Sequence, residues 1–303
     1  MRPVHRAIAA SLPLHIRRRY LFAAGHGRLP NTHAPKTFNE KVNWRILYDR
    51  REQFKVTCDK ALMKDYARER STPETLRIPE TLWLGTDVEE LLELDIQGDW
   101  VLKPNHRSGQ VIFGSGPVTQ SNVADLRKRT SGWLDDNQWR HLGEWAYSLA
   151  QPAIMLERRI APGVELSDFK FLVFDGVPKF VQVNTNRFTR PTINVYTPDW
   201  DLVKSGTSNN GPLAARPHRL TEMLQIAAQL GAEWDFMRID LYEHEDDIWF
   251  GEITPYPAGG TIPYRPRSFD IELGSLWTLP PASPGTKPSK AFLGLRRNSS
   301  SSK

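Results

Sequence analysis

Apolar residues recur along this chain at two periods, and the switch between them separates helices from strands. The N-terminal stretch reads as a basic helix ending near Gly25-His26-Gly27. A second helix opens after Thr37, with Asn39-Glu40-Lys41 in its first turn, and runs through Trp44 and Leu47. Asp59 caps a third over Lys60 to Glu69, where Ala61, Leu62 and Tyr66 keep helical spacing. Pro73 and Pro79 mark a loop, and Thr86-Asp87 opens a short acidic helix through Leu94. Val123 to Trp145 and Leu220 to Leu230 read as two further helices.

The strands carry most of the chemistry. Trp100 to Lys103 is a short strand that runs into the polar loop Pro104-Asn105-His106-Arg107-Ser108-Gly109, and Val111-Ile112-Phe113 follows it. That is strand, glycine loop, strand, and not the strand, loop, helix order of a Walker site. Ala153 to Glu157 is apolar and ends in an acid. Phe169 to Phe174 and Lys179 to Val183 flank the hairpin signal Asp175-Gly176. Phe236 to Tyr242 and Ile248 to Ile253 are joined by the acidic turn Glu243 to Asp247. The pattern predicts an α+β protein with antiparallel hairpins that carry polar residues at strand ends.

Charge narrows the class. The net charge of +5 is concentrated at the ends: residues 1–30 hold six arginines and no acid, and residues 275–303 hold five bases and no acid. The middle keeps 29 bases against 35 acids, which excludes the basic face of a nucleic-acid binder. Arg17-Arg18-Arg19 offers a contact for anionic lipid or for a partner in a biosynthetic complex; a solvated terminal helix is the blander reading. No apolar run spans a bilayer and the stretch Val4 to Leu14 is broken by His5, Arg6 and Pro13, so a cytoplasmic location is expected, with the inner face of the membrane as a variant of it. The single cysteine, Cys58, excludes an intrachain disulfide.

On the last hairpin, alternation puts Arg238, Asp240 and Tyr242 on one face, while Glu252 and Thr254 share a face of the next strand. Closure around Glu245-Asp246 brings Asp240 and Glu252 close to opposite each other. Two facing carboxylates repel, and a hard divalent cation such as Mg²⁺ relieves the repulsion. A surface Arg238–Asp240 ion pair is the competing reading. Lys103, at the mouth of the glycine loop, is placed to reach a phosphate, or is an ordinary strand-end lysine. His106 is able to bond a phosphate or to act as a structural histidine.

Taken in order, Asp59-Lys60, Val101-Leu102-Lys103-Pro104 with Ser108-Gly109, Met155-Leu156-Glu157, Arg238-Ile239-Asp240 and Glu252-Ile253-Thr254 resemble the ATP-grasp superfamily. Thr37-Phe38-Asn39-Glu40-Lys41, Trp44-Arg45, Asp168-Phe169-Lys170-Phe171, Asn186-Arg187-Phe188-Thr189 and Gly251-Glu252-Ile253-Thr254 resemble more narrowly its TupA-like family, over about residues 36–277. The resemblance implies an ATP-grasp fold, two α+β lobes gripping the nucleotide, with a reduced N-terminal segment. It implies a basic helical region over 1–35, a small lobe within 36–150, a C-terminal lobe over 151–277 and a disordered tail over 278–303.

Roles follow from the same resemblance. Lys60 and Lys103 contact ATP, with His106, Ser108 and Gly109 in the loop over the phosphates. Glu157 lies at the hinge, and the backbone of Arg158 and Arg159 meets the adenine. Asp168, or its rival Glu165, holds the ribose. Asp240 and Glu252 hold Mg²⁺, with Thr254 where an amide ligand is usual. Arg238 stabilises the transferring phosphoryl group, and Lys170 and Arg187 serve phosphate or the substrate carboxylate. The implied reaction is ATP-dependent carboxylate–amine ligation through an acyl-phosphate, adding an amino acid to a cell-surface polysaccharide or its precursor, of capsule or teichuronic type. A sugar or small-molecule kinase on the same site and a glycosyltransferase are the alternatives.

Overall fold

The structure is a computed structural model that describes residues 9–135, 138–185, 192–203 and 212–286. Helix α1 (Leu14–His26) ends on Gly27, whose φ of 67° and N–H bond to the Ala23 carbonyl make a left-handed cap. Helix α2 (Phe38–Tyr48) starts in a capping box: the Thr37 hydroxyl accepts from the Glu40 N–H at 3.2 Å, and Glu40 accepts from the Thr37 N–H at 3.1 Å. Helix α3 (Lys60–Glu69) is capped by Asp59, which accepts from the N–H groups of Ala61 and Leu62. The chain continues through β1 (Thr81–Gly85), β2 (Asp99–Pro104), β3 (Ile112–Ser115), α4 (Gln120–Thr130), α5 (Gln138–Leu142) and β4 (Ile154–Arg158). It ends with β5 (Asp168–Phe174), β6 (Val177–Thr185), β7 (Thr192–Tyr196), α6 (Leu220–Gly231), β8 (Phe236–His244), β9 (Asp247–Thr254) and α7 (Arg267–Ser275).

Two antiparallel sheets result. A four-stranded sheet has the order β1-β4-β2-β3 and a five-stranded sheet the order β7-β6-β5-β8-β9. The smaller buries Leu102, Ile112, Leu156 and Trp133 in its own core. The larger buries Phe171, Ile239 and Phe250, with Met223, Ala227 and Leu230 of α6 in the same core. Asp175 and Gly176, at φ 46° and 75°, make the two-residue turn of β5–β6, where both positions need positive φ.

Three expectations change. The helix read over Val123 to Trp145 is broken into α4 and α5, and Gly132 and Gly143, both at φ 75°, stand at the breaks. Strand β4 pairs with both β1 and β2, so the small sheet extends to Arg158 and the lobe boundary at 150/151 moves past it. Of the Arg17-Arg18-Arg19 cluster read as a lipid contact, Arg18 lies in the interior and Arg17 is half-buried. Arg18 is fully buried and bonds Asn43 Oδ1 at 3.0 and 2.7 Å, while Arg17 bonds the Arg140, Ala10 and Leu12 carbonyls. Among the described residues no helix is long and apolar enough to cross a membrane. The tail from 287 onward lies outside the described residues.

Arg45 shows how the frame of the site is held. It is buried, pairs with Asp235 at 2.6 Å, bonds the Phe236 and Pro255 carbonyls at 2.9 and 3.2 Å, and lies 4.2 Å from the Trp277 ring. One guanidinium thus pins the start of β8 to the residue that follows β9, with its charge paired.

Candidate active site

The β8–β9 hairpin turns at Glu245, φ 54°, and registers Asp240 opposite Glu252 and Arg238 opposite Thr254. A bulge lies between Asp240 and Leu241: Leu241 pairs with Phe250, and Gly251 is the extra residue. A Cβ on Gly251 would lie 2.8 Å from the Asp240 carbonyl oxygen and 2.9 Å from the Tyr242 ring. Gly251→Ala is therefore expected to cost about 1–3 kcal/mol and to shift the acids out of register; a thermal melt and the amide spectrum of β9 check it.

Asp240 is buried and held by two cations. Arg238 bonds its two oxygens at 2.7 and 2.8 Å, and Lys170 approaches at 2.5 Å. Lys170 also pairs with Asp168 at 2.6 Å. Burial pushes the Asp240 carboxyl up, but Arg238 and Lys170 outweigh it and hold the group below its usual range. Burial disfavours the Arg238 charge too, yet Asp240 and Glu252 leave that guanidinium more basic than usual. Thr254 donates to Glu252 at 2.9 Å and accepts from Arg238 at 3.1 Å. The Arg238–Asp240 pair, a surface feature in the competing reading, is thus a buried one, and Asp240 faces Glu252 with its charge paired by protein cations. Glu252, Asp240 and Lys170 form one row across β9, β8 and β5, because Lys170 registers with Asp240.

The facing wall comes from β2, β4 and α3. Glu157 takes the Lys103 ammonium on one oxygen and Lys64 on the other at 2.7 Å. Lys64 further bonds the Pro79 carbonyl and the Thr81 hydroxyl at 2.8 and 2.9 Å. Burial raises the Glu157 carboxyl, and the two lysines together pull it below its usual range. Lys60 donates to the carbonyls of Pro104, Asn105 and Arg107 at 3.0, 3.4 and 2.5 Å, so it grips the base of the glycine loop. Burial brings its ammonium down to about 8, with Glu252 opposing and Lys103 adding to the shift.

An inner cavity of about 230 Å³ lies between the walls and brings Lys60, Lys103, Ser108, Gly109, Asp168, Lys170, Asp240 and Glu252 together. An outer one of about 190 Å³ adjoins it, lined by Arg158, Arg159, Glu165 and the apolar Phe113, Val164 and Leu166. Asp168, expected at a ribose, sits at the acid end beside Lys170; Glu165 lies in the outer cavity. His106 does not line either cavity: it is fully buried and accepts from the Ala153 N–H at 3.4 Å, the structural alternative for that histidine. Arg187 and its motif lie outside the described residues. Lys64, Tyr242 and Phe250 also line both cavities, and of these only Tyr242 is placed by the sequence, on the face of Arg238 and Asp240. Lys64 was readable as the residue one turn after Lys60 on the same helix face.

Among the described residues no three His, Cys, Asp or Glu side chains converge as a metal cage. Two carboxylates and a hydroxyl do converge, and hard oxygens in that number suit Mg²⁺ that takes its other ligands from phosphates and water. The donor set fits.

With its antiparallel sheets facing across a lysine- and acid-lined cleft, the chain has the ATP-grasp fold. It belongs to the TupA-like ATP-grasp family, which matches residues 40–278. No curated protein matches it. Among solved structures it is similar to D-alanine–D-alanine ligase from Helicobacter pylori, at 13% identity and TM-score 0.41, over 74% of this chain and 62% of that one. It is also similar to an L-amino acid ligase from Bacillus licheniformis, at 13% identity and TM-score 0.43, over 80% and 49%. A third is the macrocyclase MdnC from Microcystis aeruginosa MRC, solved with the precursor peptide MdnA, at 13% identity and TM-score 0.40, over 77% and 64%. The chain spans less than two thirds of the length of each of these.

Proposed function

We propose that this protein is an ATP- and magnesium-dependent carboxylate–amine ligase that joins an amino acid to a carboxylate of a cell-surface polysaccharide or its precursor. The observation that carries the catalytic part is the inner cavity with Lys60 and Lys103 on one wall and the Glu252–Asp240–Lys170 row on the other. Family membership supports the class of substrate.

A carboxylate oxygen forms a bond to the γ-phosphorus of ATP as the bond to the bridging oxygen of ADP breaks. An amine nitrogen then bonds the acyl carbon, phosphate leaves, and the amine gives up a proton. Asp240 and Glu252 would hold magnesium, which when bound would neutralise charge on the phosphates. Lys103 and the loop N–H groups at Ser108 and Gly109 orient the phosphates, and the outer cavity, with Phe113, Val164 and Leu166 in its wall, takes the base. Arg238, tied to Asp240, offers a fixed positive charge beside the transferring group. Such positioning and preorganised charge are what phosphoryl transfer asks of a protein.

A thermal-shift titration with ATP, ADP and UDP-glucose, each with and without Mg²⁺, tests this. A Mg²⁺-dependent rise with ATP is expected. Lys103→Ala should weaken ATP about 10–100-fold, the loss of one charged phosphate contact. Glu252→Gln should keep part of the nucleotide affinity and lose Mg²⁺-dependent turnover. A shift with UDP-glucose and none with ATP moves the site to a glycosyltransferase; ADP release without amide product makes it a kinase.

A further inference from the structure

The glycine loop is held at two points. Lys60 grips the carbonyls of Pro104, Asn105 and Arg107 from below. At the other point, the Ser108 N–H and hydroxyl both donate to Gln138 Oε1, at 3.2 and 3.1 Å. Gln138 then donates from Nε2 to Glu144 Oε2 at 2.6 Å. Glu144 is buried, at 3% exposure. Its other oxygen lies against the turn that follows β9: a Cβ built on Gly259 would be 2.6 Å from it. Burial brings the Glu144 carboxyl up to about 7, opposed by Arg18, which bonds the Gly259 and Leu142 carbonyls, and by the Gln138 bond. One residue past the tether, Gly109 has φ 85°, and a Cβ built on it would have no atom within 4 Å.

We propose that Gln138 and Glu144 are positioning residues that fix the glycine loop through Ser108 and so set the affinity for nucleotide. The polarity of the relay is defined. Two Ser108 donors turn the Gln138 oxygen toward the loop, which leaves its amide N–H for an acceptor, and Glu144 is that acceptor. A glutamine between a donor and a carboxylate is the one neutral side chain of this length that serves both. Through Gln138 the loop thus reaches a buried carboxyl that lies beside the turn following the strand of Glu252.

The kinetic part of this rests on the ligase reading; the tether itself does not. Hydrogen exchange of the Ser108 amide in the nucleotide-free protein reads the tether directly, since that N–H is the donor. Above about pH 8, where the Glu144 carboxyl is ionised, Gln138→Glu sets carboxylate against carboxylate and is expected to speed the exchange about five- to tenfold, the loss of one hydrogen bond. Glu144→Gln keeps an acceptor and should leave protection in place. The double variant Gln138→Glu/Glu144→Gln rebuilds the chain with reversed polarity. The carboxylate introduced at position 138 then accepts from Ser108 on one side and from the new amide at position 144 on the other, and protection should return. Gln138→Ala, which adds no charge, should match Gln138→Glu and covers the case in which the latter misfolds. The KM for ATP should follow the same order, raised about tenfold in Gln138→Glu with kcat kept, and restored in the double variant. Unchanged exchange in Gln138→Ala, or a double variant no better than Gln138→Glu, overturns the proposal. Restored protection in a protein that never turns over ATP keeps the tether and sinks only the ligase reading.

Discussion

Asp240→Asn is expected to lower ATP-dependent product formation at least a thousandfold and the melting temperature by roughly 10 °C. The stability part follows from what Asp240 holds. It is 2% exposed and its two oxygens take Arg238 and Lys170 together. Removing one partner of a buried charge group costs about 3–5 kcal/mol, because the remaining charges stay buried. Asparagine keeps the shape but offers one oxygen and no charge to two cations. The catalytic part follows because the same carboxylate is a proposed magnesium ligand. Scanning fluorimetry and a coupled ADP assay read the two effects. A variant that melts with the wild type would show that Lys170 and Arg238 do not depend on this carboxylate.

The pH dependence has a defined sign. The folded Asp240 carboxyl is held below its usual range by Arg238 and Lys170, against burial. Its contribution is therefore complete above about pH 4, the unfolded value, and is lost as pH falls through the folded one. The stability gap between wild type and Asp240→Asn should be flat from about pH 5 to 8 and should close below about pH 4.

What the sequence disclosed, and what it hid, divides along range of interaction. The Asp59 cap, the Asp175-Gly176 turn and the closure around Glu245 are local, and each stands where the residues placed it. The opposition of Asp240 and Glu252 was readable from alternation, although the bulge at Gly251 that completes it is not part of a period-2 count. The edge strand β1 was missed: all five residues are half-buried or exposed, which leaves no apolar stripe to read. The pairing of Lys170 with Asp240 exists only because β5 lies beside β8, a contact across 70 residues. The same holds for Lys64 and Glu157. Their partnership needs α3 to bring Lys64 within reach of β4, and no spacing along the chain announces that.

The second large effect tests that partnership. Glu157 is 6% exposed and is the acid shared by Lys103 and Lys64, of which Lys64 is itself 4% exposed. Glu157→Gln leaves two ammonium groups facing an amide, at a cost of about 3–5 kcal/mol read as a lower denaturant midpoint at unchanged slope. The loss comes from like charge and not from shape, so removing one charge should recover part of it. Glu157→Gln/Lys64→Met is expected to be more stable than Glu157→Gln by about 1–3 kcal/mol, the size of coupling measured between groups in one network. Lys64→Met alone leaves Glu157 paired with Lys103 and should cost less than Glu157→Gln. The folded Glu157 carboxyl is held below its usual range, so the penalty of Glu157→Gln should be full at neutral pH and fade below about pH 4. In the proposed site, ATP phosphates would bring negative charge to the same lysine pair. Magnesium ATP should therefore raise the melting temperature of Glu157→Gln more than that of the wild type, as expected of a wall whose acid holds two lysines in place until a polyanion arrives.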